Sequence, residues 1–357
     1  MAERTIGVMV DRAAYARARE SGPASVRGAA SLRRAVLVRC TAPDALSNLV
    51  AVLELTADGQ MRCSAATRRP LTATVRLVED VLVAGDYYDG AGLDGAHDDC
   101  AHRDGAHRDR GEPIAAFAWP MLLQAGGLAR LAGTGLELTP RGEAALARPS
   151  YQALGELWGR WLKSVSHDEL SRIEAIRGQR KPGALTAAAR RRAAVAGGLA
   201  AVQPGIWIDV DTLFAILRAP PAPLAVARSP LAQWGLYLVD SYHGSLGPAG
   251  ATAWNALEGR YALCVLFEYA ATLGVIDVAY TGPRGARDDY RELWGADRYD
   301  SLSRYDGLAA VRVNNLGAAI VHDRGALAAL CLPVPRRGPG TLLPEIAHPT
   351  TRSGGPS

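Results

Sequence analysis

Lysine is nearly missing from this chain. Of its 40 basic residues only Lys163 and Lys181 are lysine, and all the others are arginine. Alanine and glycine are abundant as well, a bias that matches a GC-rich coding sequence, so arginine excess alone says little about an acidic partner. Cysteine is sparse: Cys40, Cys63, Cys100, Cys264 and Cys331 form no CxxC pair, which argues against a zinc ribbon and against a disulfide framework. No GxxxxGK[ST] phosphate loop occurs, so an ATP-driven motor is excluded. Long uncharged apolar runs are missing too. The opening "MAERTIGVMVDRAAYARARE" is broken by charge before a signal core can develop. The most apolar stretch, "YALCVLFEYAATLGVIDVAY", carries Glu268 and Asp277 and reads as a buried helix followed by a strand, not a membrane span. The expectation is a soluble, cytoplasmic protein with no membrane partner.

What is present suffices for packed cores. The chain has 357 residues, 48% of them hydrophobic, enough for two or three domains. The formal net charge of +4 is small, but the charge is unevenly placed. Residues 1–76 hold 12 arginines against 6 acids, residues 77–112 hold 3 against 10, and residues 140–192 hold 11 basic groups against 5 acids. Two basic blocks flanking an acidic one fit local anion-binding surfaces.

The acidic block contains "AHDDC AHRDG AHRDR", residues 96–110, with three of the seven histidines. Histidines five apart fall about 140° apart on a helix. No aliphatic residue occurs between Leu93 and Ile114 to anchor a closed tetrahedral site. The tract therefore reads as a repeat-expanded, disordered insertion at 89–112, with neither metal nor cofactor expected anywhere in the chain.

A different repeat carries the architecture. "LELTPRGEAAL" (136–146) and "VRVNNLGAAIV" (311–321) align without gaps, each with a glycine at the seventh position, Gly142 and Gly317. Each is preceded by a helix end and an aliphatic strand, "LLQAGGLARLA" and "YAATLGVIDVA". The shared plan is helix, strand, turn, strand, helix, which ends a winged helix-turn-helix domain. Upstream, "APDALSNLVAVLEL" and "RRPLTATVRLVEDVLVAGD" read as helices. In the second, Pro70 suits a first turn and Leu71, Val75, Val78 and Leu82 share a face. Before the second copy come a helix over 183–202, a strand-like "IWID" with an Asp cap and a helix, and a long helix over 252–272. Between the copies, "SYQALGELWGRWLKSV" and "SHDELSRIEAIRGQ" read as connecting helices. Ser166 and Glu169 form a capping box in the second, and Trp158 and Trp161 read as core packing.

The expected fold is therefore mainly α with small antiparallel β-wings: tandem winged helix-turn-helix modules joined by a helical linker. The boundaries are an N-terminal arm at 1–42, a first module at 43–148, a connector at 149–182, a second module at 183–332 with a wing insertion at 281–307, and a tail at 333–357. "LTPRGEAALA", "LGELWGRWLKS", "PGIWIDVDTLFAILR" and the closing Gly-marked wing resemble the helicase-associated winged-helix region at the N-terminus of XPB-type DNA helicases. They also resemble actinobacterial stand-alone proteins with the same arrangement. The likeness covers roughly residues 115–322 and implies an accessory domain without the motor.

Catalytic chemistry is hard to find. Ser166, His167 and Asp168 are consecutive, and neighbours on a helix diverge by about 100°, so no Ser–His–Asp relay is expected. Cys264 reads as inert core. The chain is thus expected to be non-enzymatic and to bind double-stranded DNA, in a transcriptional or helicase-associated role. Arg62, Arg68, Arg69, Thr72 and Arg76 are the leading contacts around the helix that begins at Pro70, with the run Arg190, Arg191 and Arg192 as a second group. The alternative is a scaffold whose winged helices dock a protein, such as a helicase or another DNA-processing protein.

Overall fold

The computed structural model describes residues 36–88, 113–181, 183–239, 245–247 and 250–322. The histidine tract, most of the N-terminal arm and the tail lie outside the described residues. Strand β1 (Leu37–Arg39) leads into α1 (Thr41–Ala57), which buries Ala45, Leu49, Val52 and Leu53 on one side. An extended segment at 61–63 is followed by α2 (Thr72–Val81), α3 (Ala115–Gly126), the hairpin β2 (Ala129–Ala132) and β3 (Gly135–Leu138), and α4 (Pro140–Leu146). Helix α5 (Ser150–Lys163) and a 3-10 turn at Glu169–Arg172 connect to the second half. There α6 (Ala188–Ala201), β4 (Trp207–Asp209), α7 (Val210–Arg218) and the short α8 (Pro230–Gln233) precede a long helix over 251–270. Strands β5 (Ile276–Tyr280) and β6 (Leu308–Val313) and helix α9 (Asn315–Val321) complete it. Helix predominates, β-structure is confined to small antiparallel sheets, and no described helix is long and apolar enough to cross a membrane.

The repeat read from the sequence is present in three dimensions, down to single atoms. Apart from the short α8, each half runs helix, extended segment or strand, helix, helix, strand, strand. In the first, the 61–63 segment bonds to β3 and its turn (Leu136 N–H to Met61 O, 3.0 Å; Cys63 N–H to Thr134 O, 2.8 Å), so β3 lies between it and β2. In the second, β6 lies between β4 and β5. The third helix of each half ends in a left-handed glycine, Gly127 (φ 69°) and Gly274 (φ 71°), a conformation in which a Cβ is strained. The last helix of each half is capped alike. Thr139 Oγ1 and Asn314 Oδ1 accept from the N–H of Gly142 and Gly317 at 3.2 and 2.9 Å, and the same two side chains donate back to Gly127 O and Gly274 O. Cross-strand ion pairs occupy matching positions with reversed sign: Arg130 with Glu137, and Asp277 with Arg312.

Several expectations shift. The β5–β6 pair is not an isolated wing, because β4 and β1 extend it to four strands in the order β1-β5-β6-β4. Strand β1 comes from the expected N-terminal arm and completes the sheet of the other half. The anchor is Thr41, whose N–H and hydroxyl donate to Asp277 Oδ1 and Ile276 O. The span 166–179 is not a helix. Asp168, not Ser166, caps the 3-10 turn by accepting from Leu170 N–H at 3.0 Å, and Glu169 and Arg172 turn inward. Pro70 precedes α2 in a bridge with Cys63, and Leu71 is exposed while Thr74 is buried in its stead. The 281–307 insertion packs as core: Tyr290, Ala296 and Tyr305 are fully buried, and Asp289 pairs with Arg260 of the long helix at 2.7 Å.

Candidate nucleic-acid interface

The structure gathers part of the predicted basic site and disperses the rest. Segment 61–63 is fastened to the first turn of α2 by one hydroxyl, since Thr74 Oγ1 accepts from Arg62 N–H and donates to Arg62 O, both at 2.7 Å. Thr74 is buried, and Thr72 and Arg76 lie on the opposite, exposed side of α2; Arg62 is exposed as well. The Arg62 guanidinium donates to Gly59 O and lies along the β2–β3 turn at Gly135. Between Arg62 and α2 the chain makes a tight loop. Ser64 N–H donates to Arg69 O and Arg68 N–H to Ser64 O, each at 2.8 Å, and Arg68, at φ 61°, keeps its side chain exposed. Arg69 is committed elsewhere: its Nη2 donates to the carbonyl and the hydroxyl of Ser171 at 2.8 Å each, tying the loop to the connector.

The second predicted group does not form a surface. Only Arg190 is exposed, whereas Arg191 and Arg192 are among the largest fully buried side chains. Arg191 pairs with Asp168 and lies over the Tyr261 ring. Arg192 Nε donates to Glu169 Oε1 at 2.6 Å, and its terminal nitrogens donate to the carbonyls of Trp161, Ser164 and His167. Successive helical residues point about 100° apart, and here two of the three directions lead into the core. A third buried guanidinium, Arg172, meets Glu268 through Nε and Nη2 at 2.9–3.0 Å and donates to Pro113 O. Glu268 also accepts from Tyr305. The connector is thus pinned to the second half by buried, hydrogen-bonded ion pairs, and to the first by the Arg172 bond to Pro113 O. Nothing in the local sequence separates such arginines from solvated ones: no Phe, Trp or Tyr stands within ten positions of Arg172, Arg191 or Arg192.

Near this clamp a hydroxyl, an imidazole and a carboxylate do line up, against the expectation from helical geometry, because residues 164–168 are not helical. Ser166 Oγ is 3.0 Å from His167 Nδ1, and His167 Nε2 stands 3.2 Å from Glu169 Oε1. Glu169 also accepts from Trp161 Nε1 and Tyr261 Oη. Burial pushes its carboxyl up, but His167 and Arg192 outweigh that and hold it at about 2. It is a fixed anion that neutralises Arg192. Trp158 and Trp161 are buried as core, and burial pushes the Cys264 thiol well up, away from the reactive thiolate. Among the described residues no group of His, Cys, Asp or Glu is placed to hold a metal.

The long helix widens into two π-turns, Asn255–Gly259 and Val265–Ala270, and each presents one buried glutamate. Glu258 accepts from Val226 N–H at 2.9 Å. Burial raises its carboxyl from 4.5 to about 7, against backbone hydrogen bonds and Arg191, which pull it down. The fold therefore prefers the protonated form. This contribution to stability is complete below the unfolded value near 4.5 and is lost as pH rises to about 7. The full loss is roughly 3 kcal/mol. Glu258→Gln, which keeps an acceptor for Val226, is expected to match the wild type at pH 4.5 and exceed it by a few kcal/mol at pH 8. Urea unfolding at the two pH values measures this.

Both third helices are hidden. In α3 every residue from Ala115 to Leu123 is buried, and the long helix is buried from Ala256 to Leu273. They pack on each other through α3 and the 265–270 turn. The buried stretches of both third helices are closed to a partner, whereas Arg62, Arg68 and Arg76 are exposed. Comparison of the chain with family models, with curated proteins and with solved structures finds no match.

Proposed function

We propose that this chain is a non-enzymatic DNA-binding protein of two winged-helix units that grips duplex DNA by its phosphates, in a transcriptional or helicase-associated accessory role. The observation that carries the reading is that Arg62, Arg68, Thr72 and Arg76 are all exposed within one short segment, in which Arg62 is fastened to α2 and its guanidinium lies along the β2–β3 turn. Supporting it, both halves share the helix-strand-helix-helix-strand-strand order of the winged helix, with the third strand central. Burial of both third helices removes the element that ordinarily reads base edges. Binding is accordingly backbone-directed, with little sequence preference and micromolar affinity at low salt.

Each phosphate contact contributes about 0.9 to the slope of log affinity against log salt. Arg62→Ala with Arg76→Ala is expected to weaken duplex binding and flatten that slope by nearly two. Arg69→Ala, which breaks a bond to Ser171, is expected to leave the slope almost unchanged. Fluorescence anisotropy on a random-sequence duplex over a salt series is the measurement. An unchanged slope in the double variant, or no binding at low salt, would end the DNA reading. The second reading, a protein-docking scaffold, would then lead. It is favoured by apolar side chains on the open edges of the four-stranded sheet: Val36 and Val38 along β1, and Ile206 and Trp207 at β4.

A further inference from the structure

The second basic block of the sequence divides in the fold. Arg172, Arg191 and Arg192 go inside, whereas Arg160 and Lys163 line a cavity of about 610 Å³, with Arg148 and Arg141 acting on the Glu156 in its wall. Its wall is one face of α5, with Gly155, Glu156, Gly159, Arg160 and Lys163 at three- and four-residue spacing, and Ser164 just beyond. The opposite face of α5, with Leu154, Leu157, Trp158 and Trp161, is buried. Gly155 and Gly159 project no side chain and leave the cavity open. Glu156 is gripped by Arg148 through two bonds of 2.6 and 2.9 Å. That hydrogen bonding, with further attraction from Arg160 and Arg141, holds its carboxyl below the usual range. Three arginines thus act on one carboxylate, and Lys163 lines the same wall. Among the described residues, Arg160 and Lys163 make no hydrogen bond or ion pair.

Cations in the last turn of a helix complement its dipole, which accounts for their charge but not for an open cavity between them. We infer that this cavity binds the phosphate group of a nucleotide-sized ligand, with the Arg160 guanidinium and the Lys163 ammonium donating to its oxygens. The Arg148–Glu156 pair forms a neutralised wall beside them. The volume falls within the roughly 300–1,000 Å³ of small-molecule sites, and a guanidinium beside an ammonium suits a phosphate dianion. None of Arg62, Arg68, Thr72 and Arg76 lines this cavity, so the assignment does not depend on the DNA reading.

The full chain is titrated at low salt with AMP, with inorganic phosphate, and with a short single strand with or without a 5′-phosphate. Isothermal calorimetry reads the binding. AMP is expected to bind, and Arg160→Gln with Lys163→Gln to weaken it at least about tenfold without moving Tm. Arg160→Lys is expected to retain most of the affinity. If the double variant fails to fold, Gly159→Leu, which fills the cavity from α5, is expected to abolish binding instead. Preference for the 5′-phosphorylated strand over AMP identifies a nucleic-acid end as the source of the phosphate, and the reverse identifies a free nucleotide. No heat with any phosphate-bearing probe, or equal affinity in the double variant, overturns the assignment. Arg62→Ala with Arg76→Ala must leave AMP binding unchanged, which separates failure here from failure of the DNA reading.

Discussion

Replacing Glu169 with alanine is expected to destabilise the protein by about 3–5 kcal/mol, the cost of removing one partner of a buried ion pair. Arg192 is fully buried, and its Nε would lose the acceptor that now stands 2.6 Å away. Trp161 Nε1 and Tyr261 Oη would lose theirs as well. The double variant Glu169→Leu with Arg192→Met is expected to recover part of the loss, because no charge is then left unpaired. Recovery in the double variant distinguishes stranded charge from simple loss of packing. Acid titration adds an independent check. The Glu169 carboxyl is held at about 2 against an ordinary 4.5, so its stabilisation is complete above pH 4.5 and is lost as pH falls toward 2. The alanine variant is expected to lack that part of the acid-induced decline. Urea unfolding between pH 2 and 7, within the range where the chain stays in solution, supplies both readings.

The second large effect concerns the two glycines that mark the repeat. A Cβ on Gly142 would stand 2.1 Å from Leu128 O, and one on Gly317 would stand 1.8 Å from Val275 O. In each case the obstacle is backbone at the start of the unit's own second strand, which cannot rotate away. Gly142→Ala and Gly317→Ala are each expected to cost about 3 kcal/mol or more, at or beyond the upper end of ordinary overpacking. Gly197→Ala in α6, where a Cβ meets nothing within 4 Å, is expected to stabilise by up to about 1 kcal/mol. Thermal unfolding of the three variants compares them directly. A mild effect at Gly317 would mean that the start of α9 does not pack against the Val275 backbone.

The glycine positions show how far a local pattern reaches. Two eleven-residue segments with a glycine at the same place, each after a small residue and an aliphatic strand, were enough to predict two antiparallel strand pairs and the helices on either side, though not the four-stranded sheet that holds the second pair. The reason is that caps and tight turns are made by neighbours in the chain: Thr139 with Gly142, Asn314 with Gly317, Asp209 with Thr212. The capping box at Ser166 failed for the same reason in reverse. Its local signal was outweighed by Glu169 and Arg172, whose partners lie 23 and 96 residues away.

The candidate sites divide along the same line. Arg62, Arg68, Thr72 and Arg76 are close in sequence, so a basic cluster there was legible. The inward turn of Arg191 and Arg192 was not, nor was the meeting of Arg160 and Lys163 in the lining of a cavity. An arginine has the same composition and charge whether it faces water or a buried carboxylate. What decides is the element packed against it.

By itself, the sequence determined the helix-strand-turn-strand-helix repeat, the helices that show apolar stripes, the core role of Trp158 and Trp161, and the basic and acidic blocks. Tertiary structure alone decided which arginines remain outside, that β1 joins the sheet of the opposite half, and that both third helices face each other instead of solvent. The physical reason is range. Caps, turns and periodicity are settled within a few residues, whereas desolvating a charge or completing a sheet edge depends on groups tens to hundreds of positions away.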